Sequence, residues 1–165
     1  MRRKAAVLIS HATLDPNMPI PKLNRYGVLP VGVHDCTLKE IQKRFGRFGQ
    51  TDRRVQLMER LEQYAGDLRH TALATALIVD GSFVTAEPYP NDIDLIVVLP
   101  KHHDFATELL PMDYNVLSRR RVRARYKFDV FVDRQGSPEY KKHLTFFHGL
   151  RDLPGVQKGV LKVRL

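Results

Sequence analysis

A mixed α/β fold, a twisted sheet with helices packed against it, is what the apolar patterning of this chain predicts. Three compact apolar runs, Ala74 to Asp80, Asp92 to Leu99 and Phe128 to Val132, have the length and β-branched content of buried strands. From Thr51 to about His70, by contrast, Val55, Met58, Leu61, Ala65 and Leu68 recur at steps of three and four, the period of a helix with one buried face.

The remaining elements follow in chain order. Residues 11 to 33 hold Pro16, Pro19, Pro21, Pro30, Gly27 and Gly32, which suits an extended segment wrapping the domain, and residues 1 to 36 read together as a proline-rich N-terminal arm. Thr37 and Glu40 have capping-box spacing, so a short helix carrying Leu38, Ile41 and Phe45 begins there and stops at Gly46. A helix is expected from about Asp104 to Leu110, interrupted by Pro111, with another from Asp113 running into Arg119 to Arg125. Glu139 to Phe147 reads as a helix after the Gly136-Ser137-Pro138 break. Gly159 to Leu165 alternates like an edge strand.

At 165 residues the chain suits one domain, residues 1 to 165. Its 27 Lys and Arg against 18 Asp and Glu give a net charge of +9, which favours an anionic partner such as a nucleotide or nucleic acid. A single cysteine, Cys36, excludes an internal disulfide and a cysteine zinc cluster. The apolar stretch Ala5 to Ile9 is too short for a secretory core or a membrane span, so a cytoplasmic protein without membrane contact is expected.

The chemistry concentrates between Val79 and Leu95. Alternate residues of a strand share a face, so Asp92 and Asp94 converge while Ile93 and Leu95 turn the other way. Two converging carboxylates repel unless a cation neutralises them, and hard oxygen ligands suit magnesium, which also holds phosphate oxygens. Gly81-Ser82 directly follows a strand, where glycine allows close backbone approach and serine offers a hydroxyl to a phosphate. Asp129, flanked by Phe128 and Val130, supplies a third acid. It is preferred to Asp133, which shares its parity but precedes the turn Arg134-Gln135-Gly136.

A Gly-Ser turn, an Asp-x-Asp strand and a later apolar-Asp-apolar strand together resemble the polymerase-β-like nucleotidyltransferase superfamily over roughly residues 74 to 133, the expected catalytic core. The chain also looks like an uncharacterised bacterial family of small nucleotidyltransferase-like proteins, through Val79-Asp80-Gly81-Ser82-Phe83-Val84-Thr85 and Pro90-Asn91-Asp92-Ile93-Asp94. The resemblance implies a nucleotidyltransferase fold. It implies that Gly81 and Ser82 contact nucleotide phosphates, and that Asp92, Asp94 and Asp129 bind Mg2+ or Mn2+. Asp129 would also activate the acceptor hydroxyl. The implied reaction moves NMP from an NTP to a hydroxyl on RNA, protein or a small molecule. By analogy with abortive-infection AbiEii-type proteins, the setting would be a toxin-antitoxin or phage-defence system. The sequence departs from the superfamily at Thr85 and Ala86, where a further glycine is common, and at Asn91, where serine is common.

Two other readings stay open. The chain could be a catalytically weak nucleotide- or RNA-binding module, or an antitoxin-like protein that docks a partner from a neighbouring gene through residues 11 to 33. The arginines from Arg119 to Arg125 fit either a phosphate-binding patch or a solvated helix face. Asp80 reads as a structural acid, Lys158 as a surface lysine, His102 and His103 as loop residues, and Cys36, His143 and His148 as residues without ligand partners. Phe146 and Phe147 read as packing residues of a terminal helix.

Overall fold

The computed structural model describes residues 20–49 and 51–165. Among them five strands and five α-helices follow in the order β1 (Val33–Cys36), α1 (Leu38–Phe45), α2 (Arg53–Thr71), β2 (Ala76–Asp80), β3 (Asp94–Leu99), α3 (Pro111–Leu117), α4 (Arg119–Tyr126), β4 (Asp129–Arg134), α5 (Pro138–His148) and β5 (Val160–Arg164). The strands join one mixed sheet in the order β1-β5-β2-β3-β4. The two outer pairs, β1 with β5 and β3 with β4, are parallel; β2 runs antiparallel to both its neighbours.

Strand alternation splits the apolar residues between two faces. Leu77, Val79, Leu95, Val97, Leu99, Val130, Leu161 and Val163 pack into one core with α1 to α4. Ala76, Ile78, Ile96, Val98 and Val160 turn the other way, toward Phe147, Tyr140 and Leu144 of α5. Covering on both faces explains why β2 and β3 read as almost unbroken apolar runs.

Local signals set several boundaries as the sequence predicts. Thr37 and Glu40 form the expected capping box on α1, with the Thr37 amide donating to Glu40 Oε2 at 2.6 Å and the Glu40 amide to Thr37 Oγ1 at 3.2 Å. Pro88 and Pro90 follow a single 3-10 turn, Ser82–Val84.

Elsewhere the structure corrects the sequence reading. Residues 104–110 are irregular chain with one short turn and not a helix: Asp104 Oδ1 accepts from the Ala106 amide at 2.8 Å, a local bond that competes with helix initiation. Pro111 does not interrupt a helix but begins α3, where its missing N–H costs nothing. On α2 the expected Met58, Leu61, Ala65 and Leu68 are buried, but Val55 is exposed and the buried face is wider than expected, taking in Arg54, Leu57 and Tyr64 as well. The proline-rich arm is described only from residue 20; Pro16 and Pro19 lie outside the described residues. Its end is a sheet strand, because β1 lies within the expected 1–36 segment.

The largest correction concerns the C-terminal strand. β5 is not an edge; it lies between β1 and β2, with Val160, Leu161 and Val163 buried. The position depends on Gly159, whose added Cβ would stand 2.0 Å from the Pro30 carbonyl oxygen. Truncating an interior strand leaves a cavity that the covered sheet cannot close. Leu161→Ala is therefore expected to lower unfolding free energy in urea by about 2–5 kcal/mol. A loss of only a few tenths would place β5 at an exposed edge.

Candidate active site

Strand register brings three acids into one row. Asp80 of β2 pairs with Asp94 of β3, and Asp94 with Asp129 of β4. All three have the parity of residues that face α5, so their side chains leave the sheet on the same side. Asp92 lies two residues before β3 in non-regular chain, and is exposed. Ile93 and Leu95 are fully buried on the opposite face, as strand alternation predicts.

The Gly81-Ser82 turn is fastened to Asp92. Ser82 Oγ donates to Asp92 Oδ1 at 3.1 Å and accepts from the Asn91 amide at 3.0 Å, while the Phe83 amide donates to the Asp92 carbonyl at 3.3 Å. Gly81 has φ +93°, and a Cβ there would come within 2.8 Å of the Asp92 carbonyl oxygen and 3.0 Å of the Asp94 amide nitrogen. Only glycine permits both this conformation and this approach. The serine hydroxyl thus uses its one proton to orient a carboxylate.

Arg54, fully buried on α2, shapes the loop after the turn. Its Nη1 donates to the carbonyls of Phe45 at 3.0 Å and Phe83 at 2.6 Å, and its Nη2 to those of Thr85 at 2.9 Å and Glu87 at 2.5 Å. The guanidinium also lies 3.6 Å from the Phe48 ring centroid. Burial pulls its pKa down to about 10, partly offset by Glu87, so it stays charged at neutral pH. One cation therefore organises four backbone acceptors that no other group among the described residues satisfies.

Charge in the acid row is balanced unevenly. Lys158, buried just before β5, places Nζ 2.6 and 2.7 Å from the two oxygens of Asp80. Its backbone is held by His148 at the end of α5, the Lys158 amide donating to the His148 carbonyl at 2.9 Å and the His148 ring meeting the Lys158 carbonyl at 2.7 Å. Burial drives Asp80 upward in pKa and Lys158 opposes that rise. Arg123 of α4 pairs with Asp129 at 2.6 Å, with both groups largely exposed. The Asp94 carboxylate has no hydrogen bond or ion pair among the described residues, although it is partly buried. Desolvation first, then Asp92 and Asp80, push it from 3.8 to about 6.

A cavity of about 560 Å³ opens above this arrangement, within the roughly 300–1,000 Å³ typical of small-molecule sites. Asp80, Gly81, Ser82, Asp92, Asp94 and Lys158 line one wall. The opposite wall comes from Phe146 and Phe147 of α5, the segment 149–152, and Tyr26 to Val28 of the arm. The arm is fixed there by the Ala86 amide, which donates to the Gly27 carbonyl at 2.8 Å. Of the sequence-predicted residues, Gly81, Ser82, Asp92 and Asp94 meet at this cavity. Asp129 does not line it, although register places it beside Asp94. Among the described residues no three His, Cys, Asp or Glu side chains come together as a ready set of ligands for one metal ion. Asp92 and Asp94 nevertheless fit a hard divalent cation: their donors are carboxylate oxygens, and Asp94 carries unbalanced negative charge at neutral pH.

Sequence reasoning missed Lys158, which is buried and paired, and the wall formed by the arm. It also left His143 without a partner, whereas His143 Nδ1 lies 2.7 Å from Asp133 and its ring stacks on Phe131 at 3.7 Å. Asp133 is accordingly a buried structural acid away from the cavity. Phe147 packs as expected, but Phe146 is exposed at the cavity. Cys36 faces apolar surroundings that push its thiol up to about 12, which makes it a poor nucleophile.

Two substitutions test this geometry. Arg54→Met should leave four carbonyls short of their donor and cost about 3 kcal/mol or more in chemical denaturation. Asp94→Asn should have the opposite sign. Between pH 3.8 and about 6 the folded chain retains a proton that the unfolded chain has lost, so the wild-type penalty grows across that window and is complete above it. Discounted for solvent screening, the variant should be more stable than wild type by about 1–2 kcal/mol at neutral pH, and equal to it near pH 3.

Among the described residues no helix is long and apolar enough to cross a membrane. No curated protein and no solved structure matches this chain. A family model does match, over residues 21–164, and the chain belongs to that family, DUF6932, a family of unknown function.

Proposed function

We propose that this chain is a nucleotidyltransferase that moves a nucleoside monophosphate from an NTP to a hydroxyl acceptor on RNA, protein or a small molecule, with magnesium or manganese as cofactor. The observation that carries this reading is the partly buried Asp94 carboxylate, unpartnered among the described residues, which lines a cavity together with Asp92 and a glycine-serine turn. A divalent cation held by Asp92 and Asp94 would offset the negative charge of the phosphate oxygens brought against them.

The protein's own groups then have distinct tasks. Gly81 lets the turn lie against the chain at Asp92 and Asp94, while Ser82 fixes the Asp92 carboxylate and would turn its hydroxyl proton to a phosphate only on leaving Asp92. Lys158 pairs with Asp80, opposing the rise that burial causes there, and its charge also partly offsets the repulsion that Asp92 and Asp80 exert on Asp94. Arg54 holds the loop from Phe83 to Glu87 rigid, so the turn does not have to reorganise when the nucleotide arrives. Arg151, beside Asp152, and exposed Phe146 add a guanidinium and an aromatic surface to the lining. Asp129 would take the proton of the attacking hydroxyl, which then displaces pyrophosphate in line from the α-phosphate. For that task its carboxylate must leave Arg123.

The pairing of Asp129 with Arg123, together with its absence from the cavity wall, favours a second reading, in which the chain binds a nucleotide without transferring it. Incubation with each α-labelled NTP, Mg2+ or Mn2+, and RNA, extract protein or small hydroxyl compounds separates the two. The transferase reading expects label in one acceptor class, reduced about 100-fold or more by Asp92→Ala or Asp94→Ala. Nucleotide binding with no transfer to any acceptor would leave the binding-module reading in its place.

A further inference from the structure

We propose that the surface formed by α3, α4 and the outer edge of β4 is a docking face for single-stranded nucleic acid. β4 is the last strand of the sheet, and α4 lies along it with five arginines in seven residues, Arg119, Arg120, Arg121, Arg123 and Arg125, all exposed. Arg119 and Arg123, one helical turn apart, stand over alternate residues of that edge. The Arg119 guanidinium lies 5.3 Å from the Phe131 ring centroid, and Arg123 pairs with Asp129. On the other flank of the helix Arg121 lies 5.8 Å from the Tyr114 ring of α3, and at the end of β4 Arg134 lies 5.5 Å from Phe105. Phe105 and Tyr114 are 58% and 47% exposed, so both rings remain open to a further stacking partner.

Charge and ring faces together select the ligand. Arg119, Arg120 and Arg121 have no carboxylate partner among the described residues; Arg121 donates from Nη1 to Asn115 Oδ1 at 3.1 Å, and the other two have no hydrogen bond there, which leaves guanidinium donors for phosphate oxygens. A purely acidic peptide would use the charge and leave the aromatic rings idle. A single strand uses both, its backbone along the guanidiniums and its bases against the exposed rings. The Arg123–Asp129 pair joins this face to the acid row, so a phosphate that draws Arg123 away would also release Asp129. In naming nucleic acid as the acceptor class the inference rests on the transferase reading; the docking itself does not.

Binding is therefore read without NTP or metal, from the fluorescence polarisation of labelled mixed-sequence single-stranded RNA and DNA as salt is raised. The full chain should bind at low salt and lose affinity steeply as salt increases. Arg119→Gln/Arg120→Gln/Arg121→Gln should weaken binding at least ~10-fold and flatten the slope of log affinity against log salt by about 2. Arg120→Glu, which alters a side chain with no hydrogen bond or ion pair among the described residues, should also weaken binding with an unchanged melting temperature. Lys141→Gln/Lys142→Gln on α5, over the opposite face of the sheet, should leave affinity as it is. RNA and DNA arms that differ would identify the preferred strand. No binding, binding untouched by the arginine variants, or displacement by polyglutamate as readily as by a strand of equal charge would overturn the proposal. Strand binding without nucleotide transfer would uphold the docking face and count against the transferase alone.

Discussion

Asp80, Asp94 and Asp129 stand in register on three neighbouring strands, with Asp92 just beyond, and the charge they bring together governs what surrounds them. Each neighbour has its own solution. Asp80 takes the buried ammonium of Lys158, Asp129 takes the exposed guanidinium of Arg123, and Asp92 accepts from Ser82. Asp94 alone is left with desolvation and like charge, which is why its proton affinity rises. A partly buried carboxylate with no partner weakens a fold, and such sites persist where the same imbalance serves binding or chemistry. The family to which the chain belongs has no assigned function, so that imbalance is the most direct physical pointer to one.

The rest of the architecture keeps this charge arrangement in shape. β5 enters the middle of the sheet and delivers Lys158 to Asp80 from the far end of the chain, while His148 ties the same backbone to α5. On the opposite side of the sheet Arg54 reaches from α2 to four carbonyls and sets the path of the loop that follows the glycine-serine turn. The two cations act differently: Lys158 neutralises a side chain, whereas Arg54 satisfies backbone acceptors. Both are buried, and each links segments distant in sequence.

What could be seen in the sequence was what depends on near neighbours. The need for glycine at Gly81, the alternation that buries Ile93 and Leu95, the capping box at Thr37 and the proline limit on the Ser82 turn all follow from a few adjacent residues. The fold class followed from the same periodicities, down to strands covered on both faces. Lys158 was not visible, because 78 residues separate it from Asp80 and a lysine in a loop looks like a surface residue. Arg54 was hidden for a different reason. Its partners are carbonyl oxygens, which leave no mark in a side-chain pattern. The interior place of β5 depends on pairing with β1 and β2, and its single charged interior position, Lys162, gave it the alternation of an edge.

Calorimetric titration of Mn2+ and a non-hydrolysable NTP analogue, separately and together, into the wild-type chain and the Asp92→Asn/Asp94→Asn variant tests the central claim most directly, because it reads the site without requiring turnover. The account predicts nucleotide binding that strengthens at least ~10-fold when metal is present and loses that gain in the variant. Nucleotide binding of equal strength with and without metal, or metal-assisted binding that survives loss of both carboxylates, would contradict it.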